Sequence, residues 1–117
     1  MKVVKIEYPT TLDKIEDITD DNIDIFVTLG DGHSYTLIIA TLKNIQTLMG
    51  NQDFLRPGLS PQFIIVKELN EKIIEKAIEA HAEEDDGFWI KQSHLSTEFY
   101  PSELDDILEK RRKLRGE

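Results

Sequence analysis

DNIDIFVTLGDGHSYTLIIAT, residues 21–41, decides the fold class of this chain. Apolar and polar residues alternate on both sides of a Gly-Asp-Gly-His turn, and such alternation places every second side chain on one face of a strand. Two alternating runs joined by an Asp-Gly turn predict a β-hairpin with one buried face. That face carries Ile23, Ile25, Val27 and Leu29 from the first run and Tyr35, Leu37 and Ile39 from the second.

A further strand and a short turn are predicted before the hairpin. VVKIEY (3–8) alternates and predicts a strand with Val4, Ile6 and Tyr8 on one face. The segment 10–18 has the residue spacing of a short helical turn.

After the hairpin, helices outnumber strands. Thr41, Asn70 and Ser102 stand where N-caps are expected, and Ser102 forms a capping-box pattern with Asp105. The predicted elements are a helix over 42–49, a strand within 62–69, an apolar-striped helix after Asn70, a short strand at 88–92 and a C-terminal helix over 102–115.

This order lacks strict alternation of strand and helix, so it predicts an α+β fold. We expect a single-layer antiparallel or mixed sheet of four or five strands with helices packed on one face. A chain of 117 residues, 39% of them hydrophobic, fits one domain over residues 1–117.

Composition excludes several classes of protein. The chain has no cysteine, which rules out thiol catalysis, disulfide scaffolds and zinc–cysteine sites. No apolar run approaches the roughly 20 residues of a membrane span, and the N-terminal stretch does not resemble a signal peptide. We therefore expect a cytoplasmic protein that does not bind membranes.

The charge is strongly negative and unevenly distributed. The whole chain carries −9, yet five of its 14 basic residues lie within 110–115, so residues 1–109 hold nine bases against 22 acids, a net charge of −13. Such a body repels nucleic acid and attracts a basic protein partner. The alternative, that the acids serve only solubility, stays open.

Searches for catalytic or metal-binding patterns find none with the required spacing. His33, His81 and His94 lack the i, i+4 spacing of helical metal ligands, and the acidic runs fail the EF-hand pattern at its glycine and final glutamate. The sequence therefore predicts no catalytic residue, no metal and no cofactor. An acid–base enzyme stays an alternative, because with 23 acids some pair of carboxylates can always be brought together by the fold.

The candidate binding residues surround EEDDGFWIK (83–91), where four acids run into the only tryptophan. Four carboxylates cannot be buried together, so they lie on the surface, and an aromatic ringed by acids is typical of an interface for a cationic partner. Alternatively, Phe88 and Trp89 fold into the core and the acids form a solvated cap. The candidate partner-binding set is Glu83, Glu84, Asp85, Asp86 and Trp89, with a second group of Asp17, Asp20, Asp21 and Asp24 before the hairpin.

The runs NIDIFVTLGDGHSYTLIIAT, PQFIIVKELNEKIIEKAIEAH and EEDDGFWIK together resemble a family of small acidic bacterial proteins, and through it the immunity proteins of polymorphic and contact-dependent toxin systems. The likeness covers about residues 1–95 and carries over no catalytic residue. It implies a domain that neutralises a basic toxin domain, such as a nuclease, by occlusion.

The C-terminal helix supports a second hypothesis. Its basic end suits the negative pole of the helix dipole. Leu104, Ile107, Leu108 and Leu114 form a narrow apolar stripe, which is compatible with a homodimer of a structural or regulatory protein.

Overall fold

The computed structural model describes residues 1–57, 63–96 and 100–116. Its four-stranded mixed sheet has the order β1-β2-β3-β4, with β1–β2 and β2–β3 antiparallel and β3–β4 parallel, which confirms the predicted α+β class. The strands are β1 (Val3–Glu7), β2 (Asn22–Leu29), β3 (Ser34–Thr41) and β4 (Phe63–Val66). The helices are α1 (Leu42–Met49), α2 (Glu71–Glu83), α3 (Phe88–Ser96) and α4 (Pro101–Leu114), with 3₁₀ segments at Leu12–Lys14 and Glu84–Gly87.

The hairpin forms as its alternation predicts. Ile25 pairs with Leu37 and Val27 with Tyr35, and the inward side chains of both strands are buried. The turn needs Gly32, whose φ of +82° is a left-handed conformation that residues with a Cβ rarely adopt.

The core lies between this sheet face and helices α2 and α3. Ile74, Ile78 and Ala82 from α2 and Ile90 from α3 are fully buried in one cluster with the inward side chains of β2, β3 and β4. Burying each large aliphatic side chain contributes about 1.5–3 kcal/mol, so this face is a major source of favourable burial energy.

The predicted N-caps divide into two that are confirmed and one that is wrong. Thr41 Oγ1 accepts a hydrogen bond from Asn44 N at 3.1 Å, and Asn70 Oδ1 accepts one from Ile73 N at 2.9 Å. Ser102 is not a cap, because α4 begins one residue earlier at Pro101. Proline at the first helical position has its φ already set and no N–H to satisfy.

The predicted inward face of β1 is confirmed for Ile6 and Tyr8, which pack against the core, and is wrong for Val4. A bulge between Val3 and Lys5 shifts the pairing with β2, so Val3 and Ile6 pack on the core while Val4 is 63% exposed. One extra residue in a strand reverses the faces of all residues on one side of it, and alternation alone does not reveal such an insertion.

The predicted strand at 88–92 is also wrong: these residues open α3. A run of five residues rich in aromatic and β-branched side chains is too short for its periodicity to separate a strand from a buried helix segment. Within α3, only Ile90 of the three apolar residues Phe88, Trp89 and Ile90 enters the core. The sheet therefore has four strands in the described part of the chain.

No helix within residues 1–57, 63–96 and 100–116 is long and apolar enough to cross a membrane.

Candidate functional site

The sharp corner between α2 and α3 positions the candidate residues of EEDDGFW. Asp85, Asp86 and Gly87 have φ values of 49°, 54° and 84°, so three successive residues adopt the left-handed conformation. This conformation costs about 1–2 kcal/mol for an ordinary residue, somewhat less for aspartate, and nothing for glycine. The corner reverses the chain so that Ile90 reaches the core while the residues around it stay outside.

The four acids at this corner, Glu83–Asp86, are all exposed, and we call them the corner acids. In the described structure only Asp86 forms an ion pair, 3.4 Å from the amino group of Met1. The same amino group donates a hydrogen bond to Ala82 O at 2.7 Å. Its positive charge therefore offsets both the negative end of the α2 dipole and part of the acid cluster.

Both aromatic residues of the corner lie at the surface, contrary to the alternative that they fold into the core. Phe88 is 51% exposed and Trp89 is 40% exposed. Their rings stack edge to face, with centroids 5.2 Å apart and planes at 85°. Such exposed paired rings beside acids have the composition of an interface anchor.

Trp89 also lines an open cleft of about 540 Å³ between α2, α3 and the start of β4, which we call the Trp89 cleft. Its described walls are Phe63, Ile64, His81, Glu84, Trp89, Gln92 and Ser93.

The polar groups of the Trp89 cleft are mainly hydrogen-bond acceptors. His81 Nδ1 lies 2.7 Å from Ala77 O, and because a carbonyl oxygen only accepts, Nδ1 is the donor of this hydrogen bond. Gln92 Oε1 is buried without a hydrogen-bond partner among the described residues, and Glu84 adds a carboxylate. Acceptors around an indole suit a guanidinium or ammonium group, which binds carboxylates and aromatic faces together.

His81 and Gln92 were missed as candidate binding residues. His81 was considered only as a metal ligand, and Gln92 was predicted as the end of a strand. Had α3 been predicted as a helix, the spacing of Trp89, Gln92 and Ser93 (i, i+3, i+4) would have placed them on one face.

The second group of candidates, Asp17, Asp20, Asp21 and Asp24, we call the loop acids. Asp17 accepts hydrogen bonds from both the backbone N–H (2.9 Å) and the hydroxyl (2.6 Å) of Thr19, which are the main causes of its lowered pKa. Lys43 Nζ lies 3.8 Å from the same carboxylate. Asp17 is thus engaged within the molecule.

Asp20 and Asp21 tie the loop to neighbouring elements, whereas Asp24 lies exposed on β2. Asp20 accepts hydrogen bonds from Asn44 Nδ2 at 3.2 Å and Thr47 Oγ1 at 2.9 Å, both on α1. Asp21 Oδ1 accepts from the N–H of Asn22 at 2.7 Å. Three of the four loop acids therefore hold hydrogen bonds that a binding partner would have to replace.

The two acidic groups lie at opposite ends of β2. Gly87 of the corner packs against Leu29, the last residue of β2, whereas Asp21 immediately precedes Asn22, the first. Eight residues of strand separate these ends by roughly 23 Å. The fold does not bring the groups into one site, and the corner acids form the candidate site with Trp89.

Ionisation in the described residues is perturbed mostly outside the Trp89 cleft. Asp31 has a lowered pKa because it accepts hydrogen bonds from the Tyr35 hydroxyl (2.6 Å) and the His33 N–H (3.0 Å). Burial and the bond to Asp31 raise the pKa of Tyr35 to about 12. The hydrogen bonds to Asp31 that cause these shifts stabilise the hairpin turn. Among the described residues, no group of three or more histidines and acids is placed to hold a metal ion.

Comparison of the chain with protein-family models, curated proteins and solved structures finds no match.

Proposed function

We propose that this protein is a binding module that captures a basic protein, acting as an immunity or inhibitor protein that blocks a toxin domain by occlusion. The observation that carries the proposal is the exposure of Trp89 beside four exposed acids and above a cleft of hydrogen-bond acceptors. Acids at the rim speed the encounter with a basic surface, and a desolvated aromatic supplies the affinity.

In this mechanism an arginine or lysine of the partner enters the Trp89 cleft. Its cationic group pairs with Glu84 and packs on the indole, while its hydrogens meet Gln92 Oε1. A nuclease binds the phosphates of its substrate with the same kind of cationic side chains. Carboxylates that pair with those side chains therefore prevent substrate binding. The proposal places the protein in the cytoplasm, in keeping with its lack of cysteine.

The direct test is the kinetics of association with a basic protein domain, for which the adjacent reading frame is the first place to search. Reversing Glu84 and Asp85 to lysine should slow association by about tenfold or more and flatten its salt dependence. Reversing Asp105 and Asp106, exposed acids on α4, is the matched control and should change the rate far less. Equal rates for both double variants would rule out the corner as the binding site.

A second test addresses the cleft alone. Acetyl-arginine amide, titrated into the protein, should shift the indole N–H resonance of Trp89, and the Glu84→Gln variant should weaken the shift. A Trp89 resonance that stays unchanged at the highest concentration of acetyl-arginine amide would contradict the role of Trp89 as an anchor.

Self-association is a second candidate, favoured by the exposure of the α4 stripe. Leu104 is 45% exposed and Leu108 60% exposed, and only Ile107 of the described α4 residues is half-buried. Light scattering of the full chain and of a chain ending at Tyr100 tests it: a dimer that becomes a monomer on truncation supports a homodimer through α4, and a monomer in both cases excludes it.

A further inference from the structure

A row of four glutamates runs along α2, separate from the Trp89 cleft. Glu71, Glu75, Glu79 and Glu83 follow one another every four residues, so their Cα atoms are about 6 Å apart along the helix axis on one stripe. Like charges at this spacing destabilise a helix. In the described structure none of the four has an ion-pair partner within 4 Å, although Lys72 and Lys76 lie on the same helix. We call this set the glutamate row.

The glutamate row forms one wall of a groove whose other wall is β1. At one end, a cavity of about 300 Å³ separates Glu71, Glu75 and Glu79 from Val3–Ile6 and Tyr8. At the other end, a cavity of about 500 Å³ separates Glu79 and Glu83 from Met1–Val3. Helix α2 therefore runs antiparallel to β1 along its full length.

Strand β1 is at the edge of the sheet. It pairs with β2 on one side, and no strand of the described residues pairs with its other side. Its pairing with β2 is regular over Lys5–Glu7, beyond the bulge at Val4. Unpaired N–H and C=O groups on such an edge are a template for another strand.

Tyr8 lies where the groove is most negative. Its hydroxyl oxygen is buried and has no hydrogen-bond partner among the described residues. Its pKa is raised first by burial and then by the charges of Glu75 and Glu71. The cations on the strand side do not neutralise this end, because Lys5 Nζ pairs with Glu7 at 2.6 Å and Lys2 lies at the far end.

We propose that an extended, lysine- or arginine-rich segment of a partner protein adds to the free edge of β1 as a fifth strand and places alternate cationic side chains on the glutamate row. Alternate residues of a strand are about 6.8 Å apart, close to the 6 Å step of the glutamates. Backbone hydrogen bonds with β1 fix the position of the partner segment, and the carboxylates favour cationic side chains on it. This inference rests on the proposed function only for the basic character of the partner. It uses a groove separate from the Trp89 cleft, although Glu83 belongs to both the corner acids and the glutamate row.

The probe is a capped decapeptide in which lysine alternates with threonine. It should bind, and hydrogen exchange should slow on binding at those amides of Lys5–Glu7 that point away from β2, because a new ladder protects the free edge. A capped proline peptide, in which proline replaces every threonine and each lysine carries a methyl group on its backbone nitrogen, has the same charge but no residue N–H to donate to β1. It should bind at least about tenfold more weakly.

The matched variants remove equal charge from the two surfaces. Glu75→Gln with Glu79→Gln should weaken binding of the lysine–threonine peptide by about tenfold, since two charge-assisted contacts are lost. Glu84→Gln with Asp85→Asn should change it by less than about threefold. Circular dichroism of both variants checks that they fold.

Several outcomes overturn the inference. They are no binding of the lysine–threonine peptide, equal binding of the proline peptide, equal losses in both variants, or tighter binding of a helical peptide with lysines four residues apart. Each leaves the proposal for the corner standing, because the titration of Trp89 with acetyl-arginine amide reports on that site separately.

Discussion

The corner acids and the loop acids are similar in composition, but they differ in how many hydrogen bonds and ion pairs they form within the molecule. Asp17, Asp20 and Asp21 accept hydrogen bonds from Thr19, Asn44, Thr47 and Asn22 within the molecule, and Lys43 adds an ion pair. Of the corner acids, only Asp86 is in an ion pair in the described structure.

The difference arises from the neighbours that the fold supplies. The loop lies against the first turns of α1, whose polar side chains donate hydrogen bonds to it. The corner projects from the end of a helix beside two aromatic rings. Carboxylates with internal partners stabilise the fold, whereas the carboxylates without them are the ones that we propose bind a partner protein.

The largest expected effect tests whether the loop acids are structural. Asp20→Ala removes the acceptor of two hydrogen bonds from α1 and should destabilise the protein by about 1–3 kcal/mol. Glu84→Ala at the corner should stay within about 0.5 kcal/mol. Urea unfolding of the two variants measures the contrast; equal losses would remove the distinction between the groups.

The next effect concerns the backbone of the corner. Gly87→Ala should cost about 1–2 kcal/mol, because the residue has φ +84° and an added Cβ would meet Leu29 Cδ1 at 3.5 Å. Asp85→Gly should be neutral or slightly stabilising, because glycine relieves the left-handed strain there. Thermal unfolding measures both, and a destabilised Asp85→Gly protein would show that the aspartate itself holds the corner.

A smaller effect is expected from the pH dependence of stability. Tyr35 has a pKa raised to about 12, so its contribution is complete below the ordinary pKa near 10 and is lost as the pH rises towards 12. Asp31 has a lowered pKa, so its contribution is present above the ordinary value and is lost as the pH falls through the lowered one. Tyr35→Phe should remove the contribution of Tyr35 to the alkaline loss between pH 10 and 12 and leave that of Tyr8, whose pKa is also raised; unfolding curves across that range measure the difference.

The smallest effect is a difference in the quenching of Trp89 fluorescence. Because the indole is exposed beside the corner acids, caesium ions should quench it more efficiently than iodide at equal concentration. Glu84→Gln with Asp85→Asn should reduce that preference, whereas Asp17→Asn with Asp24→Asn at the far end of β2 should not. Equal quenching by both ions in the wild-type protein would mean that the acids do not control access to the ring.

Much of the fold could be predicted because the relevant signals are local. The hairpin follows from alternation across Gly30–His33, and the starts of α1 and α2 follow from Thr41 and Asn70. The strand predicted at 88–92 was wrong, since five residues do not define a period. The bulge at Val4 was missed, because it depends on the pairing with β2 and not on β1 itself.

The candidate site was predicted only in part. The exposure of the corner acids follows from the cost of burying charge, and it could be expected from the sequence. The position of Trp89 at the surface, and the approach of His81 and Gln92 to it, depend on the left-handed turn at Asp85–Gly87. Aspartate and glycine tolerate that conformation but also adopt others, so their presence does not specify the turn.

The amino-acid sequence by itself determined the class of fold, the buried face of the hairpin, the negative body and the basic end of the chain. These properties depend on the chemistry and spacing of residues near one another along the chain. Only the tertiary structure decided which acids are held by hydrogen bonds, which aromatics reach the surface, and that the glutamates of α2 face a free strand edge. Those outcomes depend on contacts between distant segments, whose geometry is set when the core packs.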